Sequence, residues 1–204
     1  PAARPWHAEG ARDGPALAVS RWYMQSVMKQ SLCLLAISLG LAACGGGKQA
    51  PGPGADWSAR PLDVTISDKV YNVAFTIQSP SGMKLESDGG PETITKRWEA
   101  DVKDAFSEPS FAVSYAAIPA TDLDAYVKRE LTDGDHVIEQ KTNADGFVLV
   151  TRSKSGGLIR AQLQKRKGDV HLNCRASQAK TGGVPNPDKT AAWLASICAT
   201  LVIQ

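Results

Sequence analysis

HVIEQKTNADGFVLVTRSKSGGLIRAQLQKRKGDVHLNCRAS, residues 136–177, contains four apolar-alternating runs broken by three polar, glycine-bearing gaps. The runs are roughly 136–142, 147–153, 158–166 and 169–177. A period of two marks strands with one buried face. Asn143-Ala-Asp-Gly146, Ser155-Gly-Gly157 and Lys167-Gly-Asp169 have the composition of hairpin turns, where glycine accepts a positive φ at little cost. The stretch therefore predicts an antiparallel meander of four strands.

Upstream, VYNVAFTIQ (70–78) alternates with Tyr71, Val73, Phe75 and Ile77 on one face, and Ser79-Pro80-Ser81-Gly82 ends it. TITKRWE (93–99) reads as a second strand and SFAVSYAAI (110–118) as a third. A helix follows: Thr121 with Asp124 has the form of a capping box. Leu123, Tyr126, Val127 and Leu131 then fall on one face, and Asp133-Gly134 stops it. After the meander, Pro187-Asp188 opens a last helix through about Ala199, and Leu201-Val-Ile203 reads as a closing strand. Strands, helix, meander and helix give an α+β class: one antiparallel sheet of about six to seven strands with helices packed on it.

The N-terminal part reads differently. The sequence begins at Pro1, and residues 1–27 are expected to be an extension from an over-long reading frame, with translation starting at Met28 or at Met24 just before it. Lys29 then supplies a short positive segment, SLCLLAISLGLA (31–42) an apolar run too short to span a bilayer, and Ala42-Ala43 small residues before Cys44. Leu41-Ala42-Ala43-Cys44 resembles the lipobox of bacterial lipoproteins. The resemblance implies a signal peptide over 28–43, cleavage between Ala43 and Cys44, and diacylglycerol on the Cys44 thiol. Two or three acyl chains hold a protein stably, since each buried methylene contributes about 0.8 kcal/mol. The competing reading is a buried helix with Cys44 as an incidental core thiol. Residues 44–59, rich in Gly and Pro, then form a flexible tether, and 60–204 a single α+β domain.

Within that frame the expected location is the cell envelope, facing the periplasm. By resemblance to Gram-negative sorting, Gly45 after the lipid cysteine points to the outer membrane. The net charge of +2 comes from Arg4, Arg12, Arg21 and Lys29 against Glu9 and Asp13; from Cys44 onward 19 basic residues balance 19 acidic ones. A neutral domain lacks the electrostatic footprint of a nucleic-acid binder.

The layout of the domain resembles the PsbP-like fold, named for an extrinsic subunit of photosystem II and also found in bacterial envelope lipoproteins. The resemblance rests on YNVAFTIQSPSGM (71–83), SFAVSYAAIPATDLDAYVKREL (110–131) and AAWLASICATLVI (191–203) around the meander. It transfers no catalytic residues.

Cys174 lies in phase with Val170, Leu172 and Ala176, and Cys198 on the apolar face of the last helix, so both point into one layer. An oxidising compartment favours a Cys174–Cys198 disulfide over two separate buried thiols. No other Cys or His shares their face or spacing, so no metal site is predicted, and no cofactor is implied. His171 alternates outward beside Asn173 and Arg175, and reads as a solvated strand histidine in preference to a catalytic one; His136, at a strand start, reads the same way. Lys165-Arg166-Lys167 sits at a hairpin tip. It is either a solvated turn that discourages edge aggregation, the favoured reading, or a patch for an acidic partner. Trp57, on the tether, either meets a membrane interface or packs on the domain.

The function these features predict is a lipid-anchored, non-enzymatic binding or scaffolding module, attached to the membrane through Cys44 and recognising another envelope protein. A small-ligand or lipid-binding carrier is the alternative, and a hydrolase using His171 ranks third.

Overall fold

A computed structural model describes residues 56–86, 89–102 and 108–204. The predicted signal segment, its cleavage position and Cys44 lie outside the described residues. Among the described residues, a 3-10 turn at Trp57–Ala59 is followed by ten strands and two helices. They are β1 (Val64–Val70), β2 (Val73–Ser79), β3 (Met83–Leu85), β4 (Thr95–Ala100), β5 (Ser110–Tyr115), α1 (Leu123–Glu130), β6 (His136–Asn143), β7 (Gly146–Arg152), β8 (Leu158–Lys167), β9 (Val170–Ala179), α2 (Pro187–Ala199) and β10 (Val202–Ile203).

The strands form two antiparallel sheets, of seven strands in the order β3-β4-β5-β9-β8-β7-β6 and of three in the order β1-β2-β10. The class is thus mostly β with some helix. A single sheet was expected; the N-terminal hairpin instead leaves the main sheet and takes the closing strand with it. The meander matches the sequence reading within two residues at each end. Gly168 opens the β8–β9 turn with φ of +61°, as a two-residue hairpin loop demands.

Gly146 is required for a different reason. A Cβ there would sit 1.7 Å from the Gln164 carbonyl oxygen on the neighbouring strand. Gly146→Ala must therefore push β7 and β8 apart, and is expected to cost about 1–3 kcal/mol or more. A urea midpoint unchanged by this substitution would contradict the close approach.

Two local expectations are corrected. The alternation over 70–78 runs through a hairpin: Tyr71 and Asn72 are turn residues with φ of +48° and +62°, not strand. The pleat parity survives the turn, so the pattern hides it. The N-cap of α1 is Asp122 in place of Thr121. Asp122 is extended, and its Oδ1 accepts from the Ala125 N–H at 2.8 Å. Thr121 Oγ1 donates instead to Asp122 Oδ2 at 3.1 Å. β1 was not foreseen, because it is an edge strand with one buried residue, Val70, and shows little apolar alternation.

The main sheet has two unlike faces. One carries Trp98, Phe111, Val113, Val148, Val150, Ile159, Ala161, Leu163, Leu172, Cys174 and Ala176, all buried. Against it pack α2, through Leu194, Ile197 and Cys198, and the small sheet, through Phe75 and Ile77. Phe75 meets Trp98 edge-on at 6.2 Å, and Trp98 stacks on Phe111 at 5.1 Å between centroids. Lys96 also points into this layer, its Nζ held 2.7 Å from Asp68 Oδ1 on the small sheet. Trp57 is fully buried beside Trp193, so the residue assigned to the tether belongs to the core. Its indole N–H donates to Glu108, while Trp193 Nε1 donates to the Arg60 carbonyl at 3.0 Å.

The Cys174–Cys198 disulfide ties α2 to β9 inside this layer, with Cα atoms 5.4 Å apart. The second face of the sheet is more polar and is crossed by α1, whose buried Tyr126 meets Phe147 at 5.9 Å between centroids, with Leu149 buried on the same face. At the β6 edge a register irregularity between Val137 and Glu139, together with the charges of Glu139 and Lys141, interrupts the free row of backbone groups.

Candidate functional site

The polar face is built in rows of cross-strand pairs on β8 and β9: Arg166 opposite His171, Gln164 opposite Asn173, Gln162 opposite Arg175. Each strand alternates, so these six side chains share the side away from the core. The row nearest the β8–β9 turn borders a cleft of about 500 Å³, lined by Thr121, Asn143, Phe147, Gln164, Arg166 and His171 among others.

The wall of this cleft is set by Gln164. Its Oε1 accepts from the Ala120 N–H at 2.9 Å, and its Nε2 donates to the Ala120 carbonyl at 3.0 Å. A side-chain amide thus pairs with a backbone amide as a strand neighbour would. It fixes the segment Pro119–Thr121 over the sheet, ahead of α1. Arg129 adds a second clamp, donating to Gln164 Oε1 at 3.1 Å and to the Ile118 carbonyl at 2.9 Å.

The three side chains of the basic cluster do not share one face. Lys165 and Lys167 point to the opposite side from Arg166, as alternation requires. Lys165 Nζ pairs with Asp145 at 3.1 Å, and Lys167 Nζ donates to the Ile203 carbonyl at 3.3 Å. Arg166 alone turns into the cleft, where among the described residues its guanidinium has no ion-pair or hydrogen-bond partner.

His171 faces it across the β8–β9 pair, with Nδ1 buried and unpartnered. Loss of solvent, and then the nearby Arg166 cation, hold the imidazole below its ordinary pKa. The sequence reading treated Arg166 and His171 separately, although the two-residue turn between Lys167 and Val170 dictates that they meet. His136 is exposed, opposite Arg152 on the sheet edge.

The arrangement supplies a cation unpaired among the described residues, an imidazole whose pKa is held low, and an amide-bounded wall. It can hold an anionic group at Arg166. Among the described residues, no three His, Cys, Asp or Glu side chains are grouped to bind a metal ion, and no helix is long and apolar enough to cross a membrane.

The depressed His171 pKa has a measurable consequence. Well above the ordinary value of 6.5 both folded and unfolded imidazoles are neutral, and the group adds no pH dependence. As pH falls through that value the unfolded chain binds the proton first, so stability decreases. His171→Gln is expected to flatten the loss of urea midpoint between about pH 7.5 and about pH 5.5. An unchanged slope would mean that the imidazole titrates normally.

Neither a protein-family model nor a curated protein matches the sequence. Among solved structures, a crystal structure from Bacteroides thetaiotaomicron VPI-5482 is similar over 64% of this chain and 45% of its own. The TM-score is 0.36 and the identity 14%. The chain therefore spans less than half the length of that protein.

Proposed function

We propose that this is a lipid-anchored envelope protein whose folded part binds another envelope component without catalysis. The observation that carries the reading is the Cys174–Cys198 disulfide in the core. Such a bond forms and persists in an oxidising compartment, which is where a chain led by Leu41-Ala42-Ala43-Cys44 would be delivered. Cleavage after Ala43 and acylation of Cys44 attach the domain to the membrane, in this reading the outer membrane with the domain facing the periplasm. The order of strands, α1, meander and α2 supports a PsbP-like assignment for the domain.

The partner surface in this reading is the Arg166 cleft, and the recognised group is an acidic side chain of an envelope protein. A second reading, a small-ligand carrier, is favoured by the size of the same cleft, which falls in the range of about 300–1,000 Å³ common for ligand sites. A hydrolase built on His171 ranks behind both. It predicts that His171→Ala abolishes an activity found in a screen of envelope substrates.

The test is the intact mass of the protein purified from membranes, with and without reductant. A species beginning at Cys44 with added acyl mass, gaining two hydrogens on reduction, is the expected result. A species that keeps residues 28–43 and carries no acyl group would overturn the reading.

A further inference from the structure

The seven-stranded sheet ends at β6, and the pairing behind that strand fixes which of its backbone groups face out. Arg166 N–H donates to the Asp145 carbonyl at 2.7 Å, so Asp145 and the residues alternating with it along β7 turn to β8. Gly146, Val148 and Val150 therefore turn to β6, where they pair with Asn143, Lys141 and Glu139. Those three spend their backbone groups inward. Gln140 and Thr142, between them, direct N–H and C=O out past the edge. The irregularity between Val137 and Glu139 closes this short row.

The side chains of this edge are open as well. Val137 and Ile138 are 42% and 41% exposed, and Gln140, Lys141 and Thr142 are exposed. Lys141 stands opposite Val148, a residue of the buried core, so Lys141 and Glu139 lie on the core side of the sheet. They border a groove beside Ala195 and Ser196 of α2. Their half-exposed side chains meet at 2.6 Å. An ion pair so open to water contributes little within one chain.

A second copy of β6 answers this pattern. Residues that face out bond across an antiparallel pair, so even-numbered positions meet even-numbered ones. With Gln140 opposite Gln140 of the copy, Glu139 falls opposite Lys141 and Lys141 opposite Glu139, once on each side of a two-fold axis. Ile138 falls opposite Thr142, and Val137 opposite Asn143. Sliding the copy by two residues sets Glu139 against Glu139 in one direction and Lys141 against Lys141 in the other. Like charges directly opposed destabilise a sheet. The charges that make this edge a poor template for a foreign strand thus select one register with itself, and a two-fold contact of this kind closes at two chains.

We propose that the β6 edge is a self-association surface, on which two copies of this chain pair antiparallel about Gln140 and continue the sheet from one into the other. Glu139 and Lys141 exchange their internal contact for reciprocal ones across the axis. The pairing makes no use of Arg166, and it stands whether or not Cys44 carries lipid.

The test is the mass of the full-length chain by sedimentation equilibrium in density-matched detergent, over a dilution series beginning at about 100 μM. The unaltered protein is expected at twice the mass of one chain, falling on dilution. Glu139→Lys and Lys141→Glu each set like charges opposite one another, and each should weaken association about tenfold or more. Both fall on half-exposed side chains of an edge, where the fold tolerates substitution. Mixing the two single variants places opposite charges on both sides of the axis again, and the mixture should associate as the unaltered protein does. The double variant Glu139→Lys/Lys141→Glu should do so without mixing. A single-chain mass at every concentration of the unaltered protein would overturn the proposal. So would single variants that associate undiminished, or a mixture and a double variant that both stay apart.

Discussion

Replacing Trp57 with alanine is expected to lower the stability of the domain by about 3–5 kcal/mol, as for other fully buried tryptophans. The side chain is fully buried, lies 6.5 Å from the Trp193 ring and donates its indole N–H to Glu108. Truncation opens a cavity against α2 and removes one donor from a buried carboxylate. The turn that carries Trp57 is also held by hydrogen bonds at its two ends, one of them from Trp193 Nε1 to the Arg60 carbonyl at 3.0 Å. Arg60 reaches the Ser81 carbonyl at 2.7 Å, and Asp56 accepts from Asn186 at 3.0 Å on the exposed side. Urea denaturation followed by far-UV circular dichroism gives the measurement, and the melting temperature should drop by about 10 °C. A change below about 0.5 kcal/mol, the scale of an ordinary surface substitution, would show that residues 56–60 are not docked on the core.

Removal of the disulfide by paired Cys174→Ala and Cys198→Ala substitutions is the second large effect. Its loop closes across 24 residues, for which chain entropy alone gives roughly 3 kcal/mol. The bridge is also a packed core element, since the two cysteines are 1% and 2% exposed. Native protein should therefore resist dithiothreitol until the last helix lifts from the sheet, and reduction should be faster in Trp57→Ala, where the packing beneath that helix is loosened. Thiol labelling after timed reduction reads both proteins directly. Equal rates would mean that the bridge is reached without opening the α2 layer.

Much of the sheet was legible because alternation is a local signal. Leu172, Cys174 and Ala176 point inward for the reason the sequence implies, and Cys198 meets them because its helix has only one apolar face to bury. The second sheet was not legible. Tyr71 and Asn72 turn the chain without a glycine, in a left-handed conformation stabilised by the Tyr71–Tyr115 ring contact at 4.6 Å and by N–H donation to the Thr93 and Pro91 carbonyls. No pattern along the chain announces those partners.

The sites were legible only in part. The pairing of Arg166 with His171 follows from one short turn. The hold of Gln164 on Ala120 depends on where the chain lands ahead of α1, which no spacing in the sequence records.

The Gln164–Ala120 amide pair has a mechanical consequence. The segment Pro119–Thr121 is attached to the sheet by side chains, through Gln164 and Arg129, and by no strand ladder. Each such bond contributes about 0.5–1.5 kcal/mol net. Swinging that segment away therefore requires only a few of them to break, while every strand of the meander stays zipped. Local opening of that segment is therefore expected to cost less than unfolding the domain.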